Sequence, residues 1–136
     1  MKFDLSKKNE RELAFSKFAF FSEKGKRIVL KEYRHKRSNS QNSYLHVCLG
    51  FVAQETGYTL EEAKITLKRQ FGRFMVYEKN GEKFLKSTAH LDTKELTEFI
   101  DFIRHTASET LEIYIPTPEQ YYGDPFEIEK QLQGIL

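Results

Sequence analysis

Seven cations stand within fourteen residues of this chain: Lys24, Lys26, Arg27, Lys31, Arg34, Lys36 and Arg37, against the single acid Glu32. Charge at that density neutralises phosphates and releases their counterions, giving contacts that weaken steeply as salt rises. Lys24, Lys26 and Lys31 serve equally well as strand-edge lysines that block aggregation. Arg34, Lys36 and Arg37 differ because they run into a helix start at Ser38, where free N–H groups and the macrodipole favour an anion. Gln41 and Asn42 add neutral donors and acceptors in the first turn, of the kind that hydrogen-bond sugar, phosphate or base edges. Ser38 and Gln41 also have the spacing of a capping pair. A second basic group, Lys64, Lys68, Arg69 and Arg73, occupies the face of a later helix and the residues just past it. Together Arg34, Lys36, Arg37, Gln41, Asn42, Lys64, Lys68, Arg69 and Arg73 are the candidate nucleic-acid contacts. Tyr33, Tyr44, Phe71, Phe74 and Tyr77 interleave with them; bases stack on such rings, and core packing accounts for them as well.

Other chemistries find little support. His35, His46, His90 and His105 show no metal-ligand spacing, and Cys48, the one cysteine, has no second thiol to bridge or to share a zinc. Cys48 also falls on an apolar helical stripe, where a thiol is inert packing. Glu61-Glu62 opens a helix, where acids suit the dipole, so a metal-dependent nuclease built on it, or on Glu127 and Glu129, is a remote alternative. No phosphate-binding glycine loop or nucleophile elbow is present. The expectation is a protein that is not an enzyme and needs no cofactor or metal.

The charge balance sharpens this. Lys and Arg number 22 and Asp and Glu 20, a net charge of +2, which taken alone argues against nucleic acid. Residues 1–86 carry 19 Lys and Arg against 10 Asp and Glu, or +9, while residues 87–136 carry 3 against 10, or −7. Asymmetry of this kind points to a nucleic-acid or membrane surface. No apolar run approaches the length of a membrane span and the first ten residues lack a secretory signal's apolar stretch, so a cytoplasmic protein with no membrane partner is expected.

These residues need elements to position them. Met1–Leu5 reads as an edge strand. Leu13, Ala14, Phe18 and Phe21 lie on one helical face, widened by Phe15 and Phe20 and ended at Gly25, and Arg27–Tyr33 is a β-rich run. The chain should therefore open β-α-β. Tyr44, Leu45, Cys48, Leu49 and Val52 form the buried stripe of the next helix, closed by Gly57. Thr59 and Glu62 cap another, which buries Ala63, Leu67 and Phe71. Asn80-Gly81 predicts a hairpin between Phe74–Glu78 and Lys83–Leu85. Asp92 and Glu95 cap a helix with Leu96, Phe99, Ile100, Ile103 and Ala107 inside. Leu111–Ile115 reads as a closing strand or extended segment, and Pro125–Gln133 as a short helix. The fold class is α+β: a single domain with a β-α-β start, a central helix pair, a β-hairpin, a C-terminal helix and an acidic tail. The domain spans 1–118, and the tail 119–136 is packed on it or partly mobile.

Arg37-Ser38-x-x-Gln41-Asn42, after a basic strand and at the head of an apolar helix, resembles the signature region of the phage NinB (Orf) family of recombination proteins. Lys36 to Gly57 with Tyr44, Leu45 and His46, the Ser87-Thr88 to Ile100 run, and Ile113-Tyr114-Ile115-Pro116-x-Pro118 resemble prophage-type relatives from the Bacteroides group. His46 stands where the phage members tend to have Trp. The resemblance implies a non-enzymatic recombination mediator: a homodimer that binds single-stranded DNA, works with the host single-strand DNA-binding protein or a recombinase, and helps strands load or anneal. Carried over by position, Arg37, Ser38, Gln41 and Asn42 are the matching residues. The alternative is a protein-interaction module of the phage replication machinery that does not itself bind DNA.

Overall fold

A computed structural model describes the backbone of residues 1–33 and 40–136, with side chains of the second stretch described from Gln41 onward. The chain divides into two compact units, Met1–His35 and Lys36–Leu136.

In the first unit Asp4 opens a turn by accepting from the Ser6 backbone N–H at 3.0 Å and the Ser6 hydroxyl at 2.6 Å. Helix α1, Lys8–Glu23, follows. It ends as the sequence predicts: Gly25 takes φ +62°, its N–H donates to the Ser22 carbonyl, and the Lys26 N–H reaches back to Phe21. This Schellman closure satisfies carbonyls the helix end leaves free. The β-α-β start is not found. Neither Met1–Leu5 nor Arg27–Tyr33 is a strand, since β-branched composition favours extended backbone but supplies no ladder partner, and none is made by 28–31 among the described residues.

The second unit is built on a helix pair, α2 (Ser40–Thr56) and α3 (Leu60–Phe71), crossed by the long helix α4 (Thr93–Thr110). The α2 stripe behaves as its spacing requires: Tyr44, Leu45, Cys48, Leu49 and Val52 are buried, each such side chain contributing about 1.5–3 kcal/mol at most. Gly57, at φ +78°, turns the chain between the pair. Helix α3 starts with a full capping box, Thr59 accepting from the Glu62 N–H and Glu62 from the Thr59 N–H. Asp92 and Glu95 do the same for α4. The core joins Phe71 of α3 to Phe99 and Phe102 of α4 through edge and tilted ring contacts at 5.5 and 5.1 Å.

Between α3 and α4 the chain makes a short 3-10 turn, Arg73–Met75, and one antiparallel hairpin, β1 (Val76–Lys79) with β2 (Glu82–Leu85). Asn80 and Gly81, at φ +53° and +80°, form its turn. The register pairs Tyr77 with Phe84, Glu78 with Lys83 and Lys79 with Glu82, so the charges compensate across the strands. Phe74, expected to begin the first strand, sits in the 3-10 turn instead.

Leu111–Ile115 forms no strand. It doubles back at Glu112, φ +55°, and delivers buried Ile115 and Pro116 to the core. The acidic C-terminal stretch is part of the second unit, as α5 (Pro118–Gly123) and α6 (Pro125–Gln131). The Gln54 amide donates to the Gln131 carbonyl at 2.7 Å, buried Tyr121 donates to Glu129 at 2.8 Å, and Leu132 is fully buried. The unit is thus mostly helical with one small hairpin, an α+β architecture.

Candidate nucleic-acid interface

Arg34, Lys36, Arg37 and Ser38 lie outside the described residues, and with Arg37 and Ser38 goes half of the motif Arg37-Ser38-x-x-Gln41-Asn42. The other candidates separate into two groups.

The first group forms along the seam between α2 and α3. Lys64 and Lys68 are one turn apart on α3, hence on one face. Lys64 lies 3.9 Å from Glu61. Lys68 is 8% exposed, and burial first, then the nearby Lys64 charge, hold its ammonium below the ordinary lysine range, with Glu61 opposing. Half-buried His46 of α2 is held down in the same order, by burial and then by Lys64, again with Glu61 opposing. Two ammonium groups and an imidazole therefore share the field of one exposed carboxylate. Asn42, one turn before His46 on α2 and exposed, continues the same helical face. Arg69, next to Lys68, is exposed.

The second group is turned towards α4. The Gln41 amide donates to the Thr97 hydroxyl at 2.8 Å and the Thr93 carbonyl at 3.2 Å, which ties the first turn of α2 to the first two turns of α4. Its donors are therefore used within the fold. Arg73 lies over the Phe71 and Phe74 rings at 5.4 and 6.0 Å and 3.6 Å from Glu98, so its charge is partly answered before any ligand arrives.

The aromatic candidates sort by burial. Tyr44 is in the core, and burial pushes its phenol far up, with Cys48 the next cause. Phe71 is buried and packs edge-on against Phe74 at 5.1 Å. Tyr77 is exposed and stacks on Phe84 at 5.7 Å. Burial pushes the Cys48 thiol up to about 12, which leaves no thiolate for nucleophilic chemistry. Among the described residues no three His, Cys, Asp or Glu side chains are grouped to hold a metal ion, and no helix is long and apolar enough to cross a membrane.

Two features were not read from the sequence. His46 belongs to the basic seam, and its i, i+4 spacing from Asn42 was the available signal. A cavity of about 210 Å³ opens beside Gln41, Tyr44, Thr97, Arg104 and Tyr122; only the three-dimensional crossing of α2 and α4 reveals it. No family model matches the chain, and no curated protein or solved structure matches it either.

Proposed function

We propose that the chain binds single-stranded DNA without catalysing a reaction on it, as a mediator of phage-type recombination that works with a single-strand DNA-binding protein or a recombinase. One arrangement supports the binding: Lys64, 3.9 Å from Glu61, stands one turn from buried Lys68 on the same face of α3, and its charge also reaches half-buried His46. A phosphate placed at this seam relieves the repulsion between the two ammonium groups and gains from the reduced solvation of Lys68. Asn42 and Arg69, exposed beside them, extend the contact to sugar and backbone. Arg34, Lys36 and Arg37 precede α2 in sequence and belong to the same reading. The recombination role rests on the resemblance at Arg37 to Asn42.

The test is fluorescence anisotropy with a labelled oligothymidine. Binding is expected at low salt and should fall steeply between roughly 50 and 200 mM. Absence of binding, or binding indifferent to salt, would sink the phosphate-contact reading.

A further inference from the structure

Arg104, in the middle of α4, carries a buried Nε–H that has no acceptor among the described residues. Nor does its guanidinium pair with any described carboxylate, although residues 87–136 hold ten acids against three cations. A charged donor shut away from water without an acceptor is costly, and nearly all buried polar groups in folded proteins are paired. The Arg104 charge acts on Tyr44 and Cys48 of α2, which places the guanidinium on the side of α4 that α2 crosses.

Two cavities meet this side chain. One, of about 210 Å³, is shared with Asp101, Ile100, Pro118 and Tyr122; the other, of about 500 Å³, with Glu112, Ile113 and Ile115. Among the described residues each cavity is lined by that one cation, one acid and otherwise uncharged side chains. Asp101 stands three positions before Arg104, a spacing that makes side chains on one helix neighbours, yet the two do not pair. Gln41, Thr97 and Tyr44 use their donors within the fold, so recognition in the smaller cavity falls to the two charges.

We infer that the smaller cavity binds a small zwitterion, a free α-amino acid with an apolar side chain: its carboxylate on Arg104, its ammonium towards Asp101, its side chain against Ile100, Pro118 and Tyr122. The charges select this class. A guanidinium takes a carboxylate through two parallel N–H bonds and supplies the acceptor that Nε–H lacks. A phosphate monoester, near −2 at neutral pH, would meet one cation and an acid in the same space. A nucleic-acid strand would enter the part of the chain that carries 3 Lys and Arg against 10 Asp and Glu. A simple carboxylate answers Arg104 but sets a like charge beside Asp101, whereas a ligand carrying both signs answers each. The size agrees: 210 Å³ is roughly seven waters at about 30 Å³ each, below the roughly 300–1,000 Å³ of sites for drug-sized ligands. This site shares no residue with the α2–α3 seam and does not depend on DNA binding.

The experiment is isothermal titration calorimetry of the full chain with L-leucine and with two relatives that each lack one charge, leucinamide and N-acetyl-L-leucine. L-Leucine should bind, and each relative should bind at least about 10-fold more weakly, the effect of losing one charge-assisted hydrogen bond. Glycine, without the apolar side chain, should also bind more weakly. Asp101 is exposed, so the fold tolerates its replacement, and Asp101→Asn gives a readout that a merely structural role would not move. It should weaken binding of L-leucine and strengthen that of N-acetyl-L-leucine, because the acid that repels a bare carboxylate is gone. Arg104→Gln should abolish binding of both, and the ligand panel on the unaltered chain decides the matter even where that variant does not fold. No binding of L-leucine at millimolar concentrations, either relative binding as well as L-leucine, tighter binding of inorganic phosphate, or an Asp101→Asn chain with an unchanged preference between L-leucine and N-acetyl-L-leucine would each overturn the inference.

Discussion

The buried hydroxyl of Tyr44, in the second turn of α2, donates to the carbonyl of Pro116 at 2.6 Å, across 72 residues of sequence. That bond fixes the segment after α4 against the helix whose first turns carry the candidate site. Pro116 is buried, so removing the donor leaves its carbonyl without this partner and without water. Tyr44→Phe should therefore cost about 1–3 kcal/mol in urea denaturation, while the affinity for oligothymidine stays unchanged, because Tyr44 is core and not contact.

Gly50 tests how tightly α2 meets the C-terminal stretch. A Cβ at this position would stand 2.9 Å from a Leu132 methyl and 3.2 Å from one of Leu136. Alanine in a helix gains up to about 1 kcal/mol over glycine, but overpacking a filled core costs about 1–3 kcal/mol. Since Leu132 is fully buried and has little room to yield, Gly50→Ala should be net destabilising. The loss should shrink in a Leu132→Val background, a coupling that a double-mutant cycle measures.

Where local chemistry decides an element, the sequence was readable. Thr59–Glu62 and Asp92–Glu95 cap because each side chain satisfies the other residue's free N–H, a matter of three residues' spacing. The same spacing at Thr117 and Gln120 forms a capping box that starts α5. Where the outcome depends on a distant partner, the sequence said less. Arg27–Tyr33 has strand composition and no ladder, and Leu111–Ile115 turns at Glu112 instead of pairing. At the candidate site, Lys64 and Lys68 were legible as one face, whereas the burial of Lys68 and the reach of the Lys64 charge to His46 are set by how α3 packs on α2. The role of Gln41 changed for the same reason: its acceptors, Thr93 and Thr97, lie 52 and 56 residues away.

Gln41 can be separated from the contact residues by what its loss changes. Gln41→Ala removes the tie between α2 and α4 and should lower stability by about 1 kcal/mol, the ordinary worth of such a bond. The salt dependence of oligothymidine binding should keep its slope, because no phosphate contact is lost. A reduced slope would return Gln41 to the DNA-contacting set.

Lys64 and Lys68 should behave in the opposite way. Each phosphate contact to a single strand contributes about 0.7 to the slope of log K against log salt, so Lys64→Gln and Lys68→Gln should each reduce it by roughly that amount. Arg73→Gln should reduce it less, since Glu98 already answers the guanidinium at 3.6 Å. Thermal melts separate binding from folding: relieving the repulsion between Lys64 and Lys68 should leave stability unchanged or raise it.

His46 couples the seam to pH. Burial and Lys64 hold its folded pKa below the ordinary 6.5. The unfolded chain therefore takes up this proton at a higher pH than the folded chain does. The contribution to stability is nil well above pH 6.5 and becomes a loss as pH falls through 6.5 towards the lower folded value. A phosphate at the seam has the opposite effect on the bound state, because its negative charge favours the imidazolium. Between about pH 7.5 and 5.5 the unaltered chain should lose stability while its affinity for oligothymidine rises, a divergence read by melting and anisotropy on the same samples. His46→Gln should remove the part of both trends that His46 carries, leaving the acid response of the remaining carboxylates. If affinity fell with pH in the unaltered chain and His46→Gln changed nothing, His46 would lie away from bound phosphate and the seam would not be the contact surface.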